Sequence, residues 1–226
     1  AGYCVQLFRE NGELFEGFPG FATLSLRAPG VRGRVRVRGK EIPCIVWVTE
    51  LFGHVPLPLI EPLRAEDRWI THRLYEAGSD VRIAQEMLLG IGGLRALNWL
   101  AIPISTYHFN EGHAVFAGVE MICERMEQGL SFPEAWMEVR RRIVFTTHTP
   151  VKEGNEEHSI KDLRRMGACL QLSGSEMRAI GGGDPFNMTV AGLRLSRKSN
   201  AVSELHGETS RQMWAHVNGA APIIAS

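Results

Sequence analysis

The chain has 226 residues, 44% of them hydrophobic, with 25 basic and 25 acidic side chains. That length allows one large or two small domains around a sizeable core. A zero formal charge argues against a surface built for nucleic acid and leaves a neutral, sugar-sized substrate open.

The first section, to about Leu63, is strand-like. From Val31 to Arg38 the residues alternate, with Val31, Val35 and Val37 on one face and Arg32, Arg34, Arg36 and Arg38 on the other. Gly39-Lys40 is a turn signal and Ile42 to Val48 a second β-branched run, which together predict a β-hairpin. The four arginines fit either a solvated strand face or a phosphate-binding stripe. After Pro62 the pattern becomes helical. Asp80 is placed to cap a helix over Val81 to Leu100, whose stripe includes Ile83, Met87, Leu88, Ile91, Leu94 and Leu97. Gly90, Gly92 and Gly93 inside it do not have GxGxxG spacing and follow helical sequence, so close helix packing is expected of them rather than phosphate binding.

Pro103 to Tyr107 reads as a short strand leading into the polar loop His108-Phe109-Asn110-Glu111-Gly112-His113. Helices are expected over Ala114 to Gln128 and over Ser131 to Arg142, the latter with Ser131 and Glu134 as a capping box. Ile143 to Thr147 is a buried strand. Further helices are expected at Ile160 to Leu170, Ser175 to Ile180, Asn187 to Ser199 and Ser203 to His216, then a last strand at Ala221 to Ala225. The fold class is therefore α/β: a Rossmann-like parallel sheet covered by helices on both sides, with a β-hairpin extension. The β-rich section runs to about residue 63 and the α/β section over 64–226, with no internal repeat or linker. Ligands of such sheets bind beyond the C-terminal strand ends, where both polar His-containing runs fall.

Cys4, Cys44, Cys123 and Cys169 show no CxxC pairing, which fits a reducing, cytoplasmic setting better than a disulfide scaffold or zinc ribbon. No apolar run reaches the roughly 18 residues of a membrane span. Ala1 to Gln6 has neither an initiator Met nor a signal pattern, and both ends read like the middle of a longer chain.

Two clusters are candidates for chemistry. In the first, His108, Glu111 and His113 have ligand types suited to zinc or iron, but HxxExH is not the HExxH that sets two His on one helical face. A hydrogen-bonding site for a polyol suits Asn110, Glu111 and His113, with loop and cap satisfaction as the plain alternative. In the second, Thr146, Thr147, His148 and Thr149 close a strand before Pro150. Buried Thr hydroxyls usually bond nearby backbone, and a lone His is usually structural, so chemistry alone leaves His148 undecided. His158 and His216 read as exposed helix-end residues, and His206 as a cap or a crevice residue. No GxSxG elbow is present.

Taken in order, these runs resemble the glycogen, starch and maltodextrin phosphorylases, the α-glucan phosphorylase family, in its shorter bacterial and archaeal form. Gly2-Tyr3 with Gln6, Leu74-Tyr75, Arg82 to Glu86, Leu88 to Leu97, Tyr107 to Phe116 (YHFNEGHAVF), Val144 to Val151 (VFTTHTPV), Phe186 to Thr189, Leu193 to Arg197 and Asn200 to Trp214 carry the likeness. The resemblance implies a two-lobed (GT-B type) glycosyltransferase, with this chain supplying part of the N-terminal, glucan-binding lobe. It implies retaining phosphorolysis of an α-1,4-glucan or maltodextrin by phosphate to α-glucose 1-phosphate, with pyridoxal phosphate in the full-length family acting through its phosphate group. Neither a nucleic-acid nor a membrane partner is expected, and a homo-oligomer is left open for the full-length form. By motif position His148 is the implied catalytic residue, contacting the transferred glucosyl unit, while Asn110, Glu111, His113, Thr147 and Asp80 are implied substrate contacts. No lysine here, among Lys40, Lys152, Lys161 and Lys198, matches the cofactor attachment motif, and the metal expectation is none. Lys152-Glu153-Gly154-Asn155 departs from the family's usual run after the proline. The chain alone is expected to be inactive; a non-catalytic carbohydrate-binding or regulatory module and a small metalloenzyme are the other readings.

Overall fold

The computed structural model describes Ile70 and residues 79–99, 104–149 and 155–225, together with strand backbone at 25–26, 31–37, 40–51 and 55–62. The expected hairpin is present and belongs to a larger antiparallel sheet. It contains β1 (Ser25–Leu26), β2 (Val31–Val37), β3 (Lys40–Leu51) and β4 (Val55–Pro62), with β3 paired to each of the others. Val37 pairs with Lys40 across the turn. Arg38, the side chains of the arginine stripe, the Gly2-Tyr3 and Leu74-Tyr75 runs, and Pro150 to Gly154 lie outside the described residues.

The next helix follows the apolar stripe but starts earlier than expected. α1 (Ser79–Met87), a π-helical segment (Leu88–Gly92) and α2 (Gly93–Trp99) follow one another with helical backbone at both joins. Asp80 therefore sits in the first turn and is not the capping residue. Gly90 explains the glycines: a Cβ there would stand 2.7 Å from the backbone nitrogen of Ala117. Only a residue without a side chain lets the two helices approach so closely.

The remaining elements are β5 (Tyr107–Asn110), a 3-10 turn (Gly112–Ala114), α3 (Val115–Glu127), α4 (Phe132–Arg140), β6 (Ile143–Thr147), β7 (Glu157–His158), α5 (Ile160–Met166), α6 (Gly174–Gly181), β8 (Phe186–Asn187), α7 (Met188–Leu195), β9 (Lys198–Ala201), α8 (Glu204–Met213) and β10 (Ile223–Ala225). The Glu134 carboxylate accepts from the N–H of Ser131 at 2.9 Å, as the capping box requires, and also from the Ser131 hydroxyl. The strand expected to end at Tyr107 instead begins there, so His108 and Asn110 lie on a strand and not in a loop. β9 occupies residues expected to close a helix. Its Lys-Ser-Asn-Ala sequence has little strand propensity, and pairing on both sides supplies what propensity does not.

β10, β9, β6 and β5 form a wholly parallel sheet in that order. One face is apolar: Ile143 and Phe145 are fully buried, with Phe145 against Gly192 of α7 and Ile143 near Gly118 of α3. Side chains alternate along a strand and paired residues share a face, so His108, Asn110, Val144, Thr146, Lys198 and Asn200 share the other. There His108, Asn110 and Lys198 are exposed. The expectation of helices packed against both faces thus holds, among the described residues, for one face.

Candidate functional site

At the C-terminal ends of β5 and β6 one carboxylate ties two turns together. Glu111 follows β5, and its Oε1 accepts from the backbone N–H of His148, from the N–H of Thr149 at 2.8 Å and from the Thr149 hydroxyl at 3.2 Å. Its backbone has φ 65° and ψ −178°, a region open almost only to glycine. A strained backbone persists only where its surroundings over-determine it, and here the strap across to the His148 turn does so. Gly112 next to it has no room for a side chain, because a Cβ would stand 2.6 Å from that of Met188.

On the open face of the sheet the Thr146 hydroxyl lies 2.6 Å from His108 Nε2 and donates to Asn200 Oδ1 at 2.6 Å, joining β5, β6 and β9. Burial, with a smaller contribution from neighbouring His148, holds His108 below its usual pKa. His148 and Asn110 stand at the strand ends beside this ladder, one half-buried and one exposed. Thr147 points the other way: it is fully buried on the helix-covered face and its hydroxyl has no partner.

Below the 3-10 turn a second polar network was not legible as such in the sequence. Arg82 of α1 grips Glu156 through two nitrogens, with Nε to Oε1 at 2.5 Å, and donates to Gln85 at 2.9 Å. Its NH2 also lies 3.2 Å from Nδ1 of His113. Glu86 Oε1 is 3.5 Å from the same nitrogen, and Glu86 Oε2 is 2.8 Å from Nε2 of His158. His158 is 4% exposed, contrary to its reading as an exposed helix-end residue. Burial pushes the Glu86 carboxyl up to about 7 against the opposing pull of His158. Burial likewise lowers His113, with the Arg82 charge adding to it and Glu156 and Glu111 opposing. For Glu156 burial acts upward, but the Arg82 hydrogen bond and charge prevail and hold the carboxyl below its usual range. The sequence signal for this network is the opposite-charge pair Arg82 and Glu86, one turn apart on α1.

The structure brings Glu111, His148, Asn110 and His113 to one end of the sheet. Asp80 is engaged elsewhere, in an ion pair of 2.5 Å with Arg165 of α5. Among the described residues, His108, Glu111 and His113 do not bring their ligand atoms within 4.8 Å of one another as a group. Among the described residues, Glu86, Glu156 and His158 are the metal-ligand types within 4.8 Å of one another. Arg82 already pairs with both carboxylates of that group. A polar cavity of about 440 Å³ lies at the opposite, N-terminal strand ends, between Tyr107, Glu124 and Arg142. No helix among the described residues is long and apolar enough to cross a membrane.

No family model matches the chain. The maltodextrin phosphorylase of Thermococcus litoralis is 44% identical, over 98% of this chain and 28% of that protein. The glycogen phosphorylase of Mycobacterium tuberculosis is 40% identical, over 75% of this chain and 22% of that protein. The chain thus spans about a quarter of the length of these relatives. Among solved structures, the catalytic domain of starch synthase IV from Arabidopsis thaliana, bound to ADP and acarbose, superimposes with a TM-score of 0.57 at 16% identity, covering 89% of this chain and 40% of that one. This likeness bears on the fold alone: a parallel sheet flanked by helices that matches part of a GT-B glycosyltransferase catalytic domain.

Proposed function

Because this chain belongs to the glycogen and maltodextrin phosphorylase family, we propose that it forms part of the glucan-binding wall of an α-glucan phosphorylase. The reaction is phosphorolysis of an α-1,4-glucan or maltodextrin to α-glucose 1-phosphate with retention. The observation that carries this reading is the strained Glu111 strap, which fixes the backbone of His148 at the C-terminal strand ends.

In this reading His148 contacts the transferred glucosyl unit, and Asn110 and His113 hydrogen-bond its hydroxyls. Glu111 acts first as the strap that sets this geometry. A fixed set of neutral donors and a carboxylate favours the positive charge that develops at the anomeric carbon. Thr147, fully buried on the helix-covered face, and Asp80, paired with Arg165, are not assigned a sugar contact in this reading. The compartment is the cytoplasm.

Pyridoxal phosphate is proposed for the longer protein only. Lys161 and Lys198, the lysines whose side chains are described, are both exposed and neither has the enclosed setting that holds such a cofactor. No step is assigned to it here, and this chain's residues bind and orient sugar. Calorimetric titration with maltoheptaose tests the reading: the 226-residue chain is expected to bind saturably, and His148→Ala to weaken binding at least tenfold. Equal affinity of wild type and His148→Ala refutes a sugar site here.

A further inference from the structure

The Arg82 network ends on one nitrogen of His113, and that contact has a definite chemical sense. Arginine carries only N–H donors, whereas a neutral imidazole has one donor and one acceptor nitrogen. With Arg82 NH2 at 3.2 Å, Nδ1 must accept; a hydrogen there would face another hydrogen. Among the described residues, the carboxylate oxygen near Nδ1, Glu156 Oε2, is 3.9 Å away and is already held by Arg82.

Arg82 is itself unable to turn aside. Its Nε and NH2 grip Glu156, NH1 is on Gln85, and Gln85 in turn donates to the carbonyl of Ile70 at 2.8 Å. The side chains of Arg82 and His113 are 11% and 19% exposed, so water competes weakly for the contact.

We propose that Arg82, clamped by Glu156 and Gln85, is a positioning residue that fixes His113 as its Nε2–H tautomer, so that the ring meets the sugar as a hydrogen-bond donor. The last clause rests on the glucan reading above; the tautomer does not. A donor at this place recognises a hydroxyl or ring oxygen with a free lone pair. Among the described residues, the charged groups that act on the ring are Arg82 from α1, Glu156 from the segment before β7, and Glu111 from the turn after β5, while Glu86 faces Arg82.

The test is nuclear magnetic resonance on the full 226-residue chain with ¹⁵N-labelled histidine, the His113 signals being identified by their loss in His113→Gln. Long-range ¹H–¹⁵N correlations are expected to show a single Nε2–H tautomer at neutral pH. Arg82→Met is expected to give mixed tautomers and to raise the His113 titration midpoint by about one pH unit, because a cation beside the ring disfavours its protonation. Glu156→Gln is expected to move the midpoint down. A wild-type Nδ1–H form or tautomer mixture overturns the proposal, as does an unmoved midpoint in a folded Arg82→Met; if that variant does not fold, the wild-type tautomer and Glu156→Gln decide. Maltoheptaose is then added. A fixed Nε2–H tautomer whose signals do not respond to the glucan upholds the positioning role and counts against the glucan reading, so the two fail separately.

Discussion

Glu111 holds a main-chain conformation that a side chain disfavours, for the sake of three hydrogen bonds from the His148 turn. Two substitutions separate strap from strain. Glu111→Ala loses the strap and keeps the strain, whereas Glu111→Gly loses both. Glu111→Gly is therefore expected to be more stable than Glu111→Ala by about 1–2 kcal/mol, the strain less glycine's extra unfolded-chain entropy. Denaturant midpoints measure this, and identical midpoints would show that the backbone is unstrained. Glu86 has a different signature. Its folded pKa of about 7 lies above the ordinary carboxyl value of 4.5. Its contribution to stability is therefore fully present below pH 4.5 and is lost as pH rises through 7. Glu86→Gln, which mimics the protonated form, is expected to flatten the decline in melting temperature across that window. A decline as steep as that of wild type would refute the assignment. Neither behaviour is legible in sequence, because both arise from the tertiary fold: the His148 turn for Glu111, and for Glu86 a burial that outweighs the pull of His158.

Elements were legible where their own residues specify them. The apolar stripe of α1, the Ser131–Glu134 cap and the Ile143–Thr147 strand all follow from local periodicity and capping chemistry. β9 was not, since its strand character comes from β6 and β10 on either side. The polar run after Tyr107 was misplaced for a related reason: His108 and Asn110 face the open side, where strand alternation permits polar residues. Glycine contacts give this scale its test. Gly90→Ala puts a methyl group 2.7 Å from the backbone of α3, so one helix must move, whereas Gly183 has nothing within 4 Å of the corresponding position. Gly90→Ala is expected to cost about 1–3 kcal/mol in urea unfolding and Gly183→Ala no more than about 0.5 kcal/mol. Equal costs would mean that the close approach of the π-helical segment and α3 is not tight.

The described residues assemble the proposed glucan-facing edge in a chain that spans about a quarter of its relatives' length. Mixed with maltodextrin and phosphate, the 226-residue chain is expected to release no glucose 1-phosphate above background in a coupled assay. Sustained turnover without added protein would show that the catalytic groups are all present here. Strand order has a consequence for persistence. β6 is paired on both sides, while β5 ends the sheet among the described strands. Amide hydrogen exchange in β6 should then proceed only through global opening, and in β5 also through local fraying. The site spans this difference, with His148 anchored to the slow strand and His113 hung from the fast one. Glu111 is the stitch between them, so cutting it should leave the exchange of Phe145 nearly unchanged while the amides of Phe109 and Asn110 exchange sooner.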